Sequence, residues 1–298
     1  MIFFGQRQIT SITVLLIFAS FLITTSNASL SNRFRRFLQE NYGEYLEKEL
    51  NRADMGTGGS FGGGNDHQPR TPTRFRPVIL VHGITNKASK FDQIRRYFKN
   101  HQYGDEEVYG TTYGDGGQTN VVMVTMNCHY MKMLRVFIQA VADYTSSQVN
   151  YQNTFQIIGY SMGSPVSRKA IMGGKCVETG EDLGAPLTHL VNTFIGVAGA
   201  NFGSYLCVIP FGSCNLRNGM ACGSQFLNDI NAKHRYEGKH VYTIYSNADD
   251  KVGFLACGRK TSEIVGEVAG FQKNGLNHDQ VMMQTAELQY NLITYNHP

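Results

Sequence analysis

Residues 159–163 read Gly-Tyr-Ser-Met-Gly, a serine between two spaced glycines at the end of an apolar run. A serine hydroxyl is a poor nucleophile unless a base takes its proton and a carboxylate orients that base. The chemistry in question is therefore acyl transfer, and the pattern needs a strand before it and a helix after it. Gly159 and Gly163 lack a Cβ, so strand and helix can approach closely around a tight turn that pushes Ser161 out above the sheet edge. Alone, the five-residue pattern is weak. Its partners must follow in a workable chain order.

On doubly wound hydrolases that order is serine, acid, histidine. Nine histidines are present, and order removes most of them. His67, His82, His101 and His129 precede the serine, and His189, His234 and His240 precede the strand that offers the best acid. His297 is penultimate, where chain ends fray, which leaves His278 in "GLNHDQV", read as a loop before a closing helix. "VYTIYSNADDKVG" offers Asp249, with Asp250 as runner-up, at the end of a Val/Tyr/Thr/Ile run. Asp182 and Asp229 sit in polar contexts, and Asp279 is too close in sequence to His278 to reach back to its ring. Backbone N–H groups of Met162 and Ile84 are the expected oxyanion donors. His82 reads as a structural loop histidine. The Asp249-Asp250 pair lacks a third ligand at useful spacing, so no metal is expected, and acyl transfer needs no organic cofactor.

Strands and helices alternate around these residues. Strands are expected at 76–84, 120–126, 154–158, 190–199 and 240–250, and helices at 91–103, 129–148, 165–174 and 279–295. Such alternation argues for an α/β fold with a mostly parallel central sheet, helices on both faces and no large cap domain. Ligands collect at the carboxyl ends of strands in such sheets, where residues 159–163 would lie.

The rest of the chain bounds the setting. Residues 1–28 carry Arg7, an apolar run at 12–23 and the small-residue site Ser26-Asn27-Ala28, and read as a secretory signal peptide. No later segment is apolar enough to span a bilayer, so the mature protein is expected outside the cell. Six cysteines suit an oxidising compartment. Cys207 and Cys214 can staple a local loop, leaving Cys222 with Cys257 and Cys128 with Cys176 among many connectivities. A net charge of +4 without a cluster points away from nucleic acid, and Arg33, Arg35 and Arg36 read as a solvated helix face. Residues 29–55 read as an arm built on one amphipathic helix at 30–50, residues 56–73 as a flexible Gly-rich linker, and 74–298 as the catalytic body. The helix is open to three roles: a pro-segment, a partner-binding element, or an arm packed on the body.

With these residues in place the chain resembles the class 2 lipases, small bacterial-type triacylglycerol lipases expanded in nematodes. The resemblance rests on "VILVHGI", "GYSMGSP", "IYSNADDKVG" and "LNHDQV" in order, with "YGTTYGDGG" and "VAGANFGS" closest to the nematode branch. It spans roughly 74–298. It implies an α/β-hydrolase fold, a Ser161–Asp249–His278 triad, Ile84 and Met162 as oxyanion donors, and hydrolysis of carboxylesters of lipids. Tyr160 stands where histidine is commoner, and Ser164 is a second departure; both bear on substrate preference more than on activity.

The expected function is that of a secreted lipase or esterase working through an acyl-enzyme. A lipid carrier that has lost catalysis and an acyltransferase or thioesterase are the alternatives. The loop "CVIPFGSC" at 207–214 is expected either at an acyl pocket or lipid interface or as a packed surface loop.

Overall fold

The computed structural model describes residues 29–146 and 154–298; the signal peptide expected at 1–28 lies outside the described residues. Seven strands form one sheet in the order β1-β3-β2-β4-β5-β6-β9. These are β1 (Ser60–Phe61), β2 (Val78–Val81), β3 (Val108–Thr111), β4 (Phe155–Tyr160), β5 (Val191–Val197), β6 (His240–Ser246) and β9 (Ala269–Lys273). Every pairing from β3 across to β9 is parallel, and β1 adds an antiparallel edge on β3. The short hairpin β7 (Leu255–Ala256) and β8 (Arg259–Lys260) stands apart from it.

β2, β4 and β5 are buried throughout and consist largely of Val, Ile and Phe, as strands covered on both faces must be. Alternation sends Ile79 and Val81 to one face and Val78 and Leu80 to the other. The first face packs against α1 (Asn32–Tyr42), α4 (Cys128–Thr145), α5 (Gly163–Met172) and α6 (Gln225–Asn231). The second packs against α3 (Asp92–Asn100), α7 (His278–Gln284) and α8 (Ala286–Tyr295). No described helix is long and apolar enough to cross a membrane. Three disulfides join Cys128 to Cys176, Cys207 to Cys214 and Cys222 to Cys257, the pairing expected.

Several expectations fail. The run at 120–126 is not a strand: Val121–Met123 is one exposed turn of 3-10 helix, and β3 takes the place beside β2. A short apolar run cannot by itself tell a buried strand from an exposed rim. The helix expected at 30–50 is two, α1 and α2 (Glu44–Asn51), divided at Gly43, whose φ is +90°. The break rotates the second half, so Tyr45 faces solvent and Glu47 is buried against Arg35 at 2.6 Å. The closing helix is likewise split at Thr285, and His278 is not in a loop but begins α7.

The segment read as a flexible linker is docked. Phe61 in β1 is sealed from solvent, and Gly110 leaves room for it: a Cβ there would stand 2.5 Å from the ring. Leu30, Phe34, Phe37, Leu38 and Leu50 belong to the same core as β2 and α4.

Candidate active site

The turn from β4 to α5 is as tight as the glycines suggest. A Cβ on Gly159 would meet Ser164 Cα at 2.7 Å, and one on Gly163 would strike the carbonyls of His82 and Val81. Ser161 has a φ of +56°, which a non-glycine residue adopts only when its surroundings hold it there. Its N–H donates to Val197 O at 2.9 Å and its carbonyl accepts from Ala200 N at 3.2 Å. Ser161 is thus pinned between β4 and the end of β5.

His278 is the first residue of α7, capped by Asn277 and Gln280 in a reciprocal box. Its Nε2 lies 2.9 Å from Ser161 Oγ, and its Nδ1 lies 2.8 Å from Asp249 Oδ2. All three residues are buried. Burial pushes the Asp249 carboxyl up, but the hydrogen bond from His278 and the N–H groups of Lys251 and Val252 outweigh it and hold it below the usual range. An ionised Asp249 only accepts, so Nδ1 carries the proton and Nε2 is free to accept from the Ser161 hydroxyl. Asp250, the runner-up acid, does something else: its Oδ1 accepts the backbone N–H of His278 at 2.9 Å. Both carboxylates of the acidic pair are therefore engaged with His278.

The N–H groups of Met162 and Ile84 donate to no protein acceptor among the described residues. Gly83, next to Ile84, lies against the serine: a Cβ on it would stand 2.8 Å from Ser161 Cβ. His82 is sealed, stacked on Tyr113 at 4.2 Å, and donates from Nδ1 to Gly83 O at 2.7 Å. Tyr113 in turn donates to His82 O at 2.8 Å, so the strand end beneath Ile84 is held from both sides.

Residues 75–291 match the family model described as Lipase (class 2). The chain belongs to the class 2 lipases. No curated protein sequence matches it. Among solved structures it is similar to the mature form of the Bacillus licheniformis lipase BlEst2, at 14% identity over 80% of this chain and 98% of that one, with a TM-score of 0.51. The propeptide form of the same lipase gives 13% identity, 79% and 53% coverage and a TM-score of 0.52. At such identities the likeness concerns the fold, which is that of the α/β-hydrolases.

For this class 2 lipase, the two departures noted in the elbow have structural partners that the sequence did not disclose. Ser164 Oγ donates to Asn201 Oδ1 at 2.9 Å, and Asn201 Nδ2 donates to Ser262 O at 3.0 Å. Gly196 and Gly199 leave space for that hydroxyl, each with a would-be Cβ within 2.9 Å of it. Ser164 thus ties the first turn of α5 to the loop after β5. Tyr160 donates to Asp279 Oδ1 at 2.9 Å. Adjacency in sequence keeps Asp279 from the His278 ring, and no local signal marks it as a partner of Tyr160.

Exposed apolar side chains cluster in a band on two turns that pack on each other, one of them tied to the acid loop through Tyr205. Val208 and Ile209 are 83% and 73% exposed in the loop stapled by Cys207 and Cys214, with Phe211 also exposed. Gly212 packs directly on the Val122 carbonyl, so Val121, Val122 and Met123 continue the band. Tyr205 anchors it to the acid loop, donating from its N–H to Val252 O and from its hydroxyl to Asp250 O, both at 3.0 Å.

Proposed function

We propose that this class 2 lipase is a secreted carboxylester hydrolase that cleaves lipid esters through an acyl-enzyme on Ser161. His278 takes the hydroxyl proton at Nε2 as Ser161 Oγ attacks the ester carbonyl, then gives it to the leaving alcohol. In the second half it activates water against the acyl group. Asp249 keeps the imidazole in the productive tautomer and faces the imidazolium that forms. The N–H groups of Met162 and Ile84 stabilise the tetrahedral oxyanion, a term of ~3 kcal/mol per donor in comparable sites. The observation that carries this reading is the unbroken relay Ser161 Oγ, His278 Nε2, His278 Nδ1, Asp249 Oδ2, at 2.9 and 2.8 Å.

The apolar band is read as the surface that meets the lipid. Six exposed apolar side chains on two turns that pack together are uncommon on a protein with no interface to make. The disulfides and the apolar amino-terminal run support secretion. A series of esters from two-carbon acyl chains to emulsified long-chain triglycerides tests the reading. Ser161-dependent release of fatty acid that extends to the emulsified substrates supports it, and absence of Ser161-dependent hydrolysis across the series sinks it.

A further inference from the structure

Asp279 contacts three of the segments around the proposed reaction centre at once. Tyr160, from the nucleophile turn, donates to its Oδ1 at 2.9 Å. Lys90, from the 3-10 turn Ala88–Phe91 that follows the Ile84 loop, reaches the same oxygen at 2.6 Å. Lys251, from the acid loop, holds Oδ2 at 2.7 Å. Asp279 itself sits in the first turn of α7, immediately after His278.

The acid loop reads like a clasp on that turn. Asp249 takes the His278 ring at Nδ1, Asp250 takes its backbone N–H, and Lys251 takes the carboxylate of the next residue. Tyr160 closes the clasp from the opposite side, and its ring lies 5.0 Å from the imidazole. Burial opposes ionisation of Asp279, but Lys251, Lys90 and the Tyr160 hydroxyl overcome it and hold the carboxyl well below its usual range. Burial, then the charge of Asp279, pushes the Tyr160 phenol well up, so it remains a donor.

We propose that Tyr160, Asp279, Lys251 and Lys90 are a positioning network for His278, so that the residue before Ser161 sets the rate of the chemical step rather than the choice of substrate. The inference rests on the proposed acyl-enzyme reading. Acylation needs Nε2 on Ser161 and Nδ1 on Asp249 together, and the imidazole reaches both only if the first turn of α7 keeps its place. Removing the phenol hydroxyl frees one corner of that turn without emptying the space its ring fills.

The test uses the full chain and a soluble short-chain ester, with Tyr160→Phe, Asp279→Asn and the double variant. Tyr160→Phe is expected to lower kcat about tenfold with KM within about twofold, as loss of positioning rather than of binding requires. Inactivation by a fluorophosphonate should slow in parallel, while the melting temperature barely moves. Because the tyrosine acts through the aspartate, the double variant should be no worse than Asp279→Asn alone. Should Asp279→Asn fail to fold, the fluorophosphonate rate of Tyr160→Phe, counted per folded molecule, decides. A wild-type kcat in Tyr160→Phe, a loss confined to KM, or losses that multiply in the double variant would overturn the network while leaving the acyl-enzyme intact. Absence of Ser161-dependent turnover in the wild type would overturn both.

Discussion

The carbonyl of Gly59 accepts both the N–H and the hydroxyl of Thr112, at 2.9 and 2.7 Å, and Thr112 Oγ1 accepts in turn from Ala88 N at 2.9 Å. A segment outside the matched lipase region is thereby tied to the stretch just beyond Ile84. Lys87 donates to Met55 O at 3.3 Å and Ser89 N to Gly58 O at 3.1 Å, which repeats the connection. Residues 29–64 therefore act as part of the body. Phe34, fully buried against Tyr109 and Tyr144, measures this. Phe34→Ala is expected to cost about 3–5 kcal/mol in denaturant unfolding. A change below about 1 kcal/mol would mark the segment as a loosely held arm.

Arg168 in α5 makes a second load on the site's scaffold. It pairs with Glu237 at 2.9 Å with both side chains sealed from water, and also donates to Asn231 Oδ1 and Ile230 O. Arg168→Met strands the Glu237 charge and is expected to destabilise by about 3–5 kcal/mol. Arg168→Met with Glu237→Leu should recover most of that loss, since no buried charge is left over. Equal instability in both variants would place the cost in packing instead.

His82 gives the stability a definite pH dependence. Burial pushes its pKa down to about 4 despite the hydrogen bond to Gly83. An unfolded histidine titrates near about 6.5, so between these values the unfolded chain holds a proton that the native chain does not. Stability is therefore flat with respect to this group above that window and falls as pH drops through it. His82→Phe should lose less stability than wild type between about pH 7 and about pH 4.5 in paired melting curves. Parallel curves would contradict the buried, neutral state of His82.

Replacing Val208, Ile209 and Phe211 by serine is expected to impair hydrolysis of emulsified lipid by about tenfold while changing a soluble short ester by less than about twofold. Substitution of Val121, Val122 and Met123 should act in the same direction, because the two turns pack together through Gly212 and Val122. Equal losses on both substrates would mean that the band shapes the acyl pocket rather than the contact with lipid.

Much of the sheet and the meeting of three side chains could be read from the chain. Buried strands such as β4 and β5 announce themselves as apolar runs, and the order serine, acid, histidine left few residues to choose among. What escaped was short, interrupted or distant. β1 has two residues, β3 carries Gly110 at its centre, and β9 is a half-exposed edge, so none offers a hydrophobic period. The breaks at Gly43 and Thr285 fall inside patterns that look continuous, because apolar residues resume on either side. The partners of Tyr160 and Ser164 lie 119 and 37 residues away, and nothing local points to them.

Whether Ser161 carries the acyl group is read most directly by intact-protein and peptide mass spectrometry after reaction with a fluorophosphonate. One adduct is expected, on the peptide containing Ser161, absent in Ser161→Ala and strongly slowed in His278→Ala. No adduct on the folded wild type, or an adduct that persists in Ser161→Ala, would contradict it.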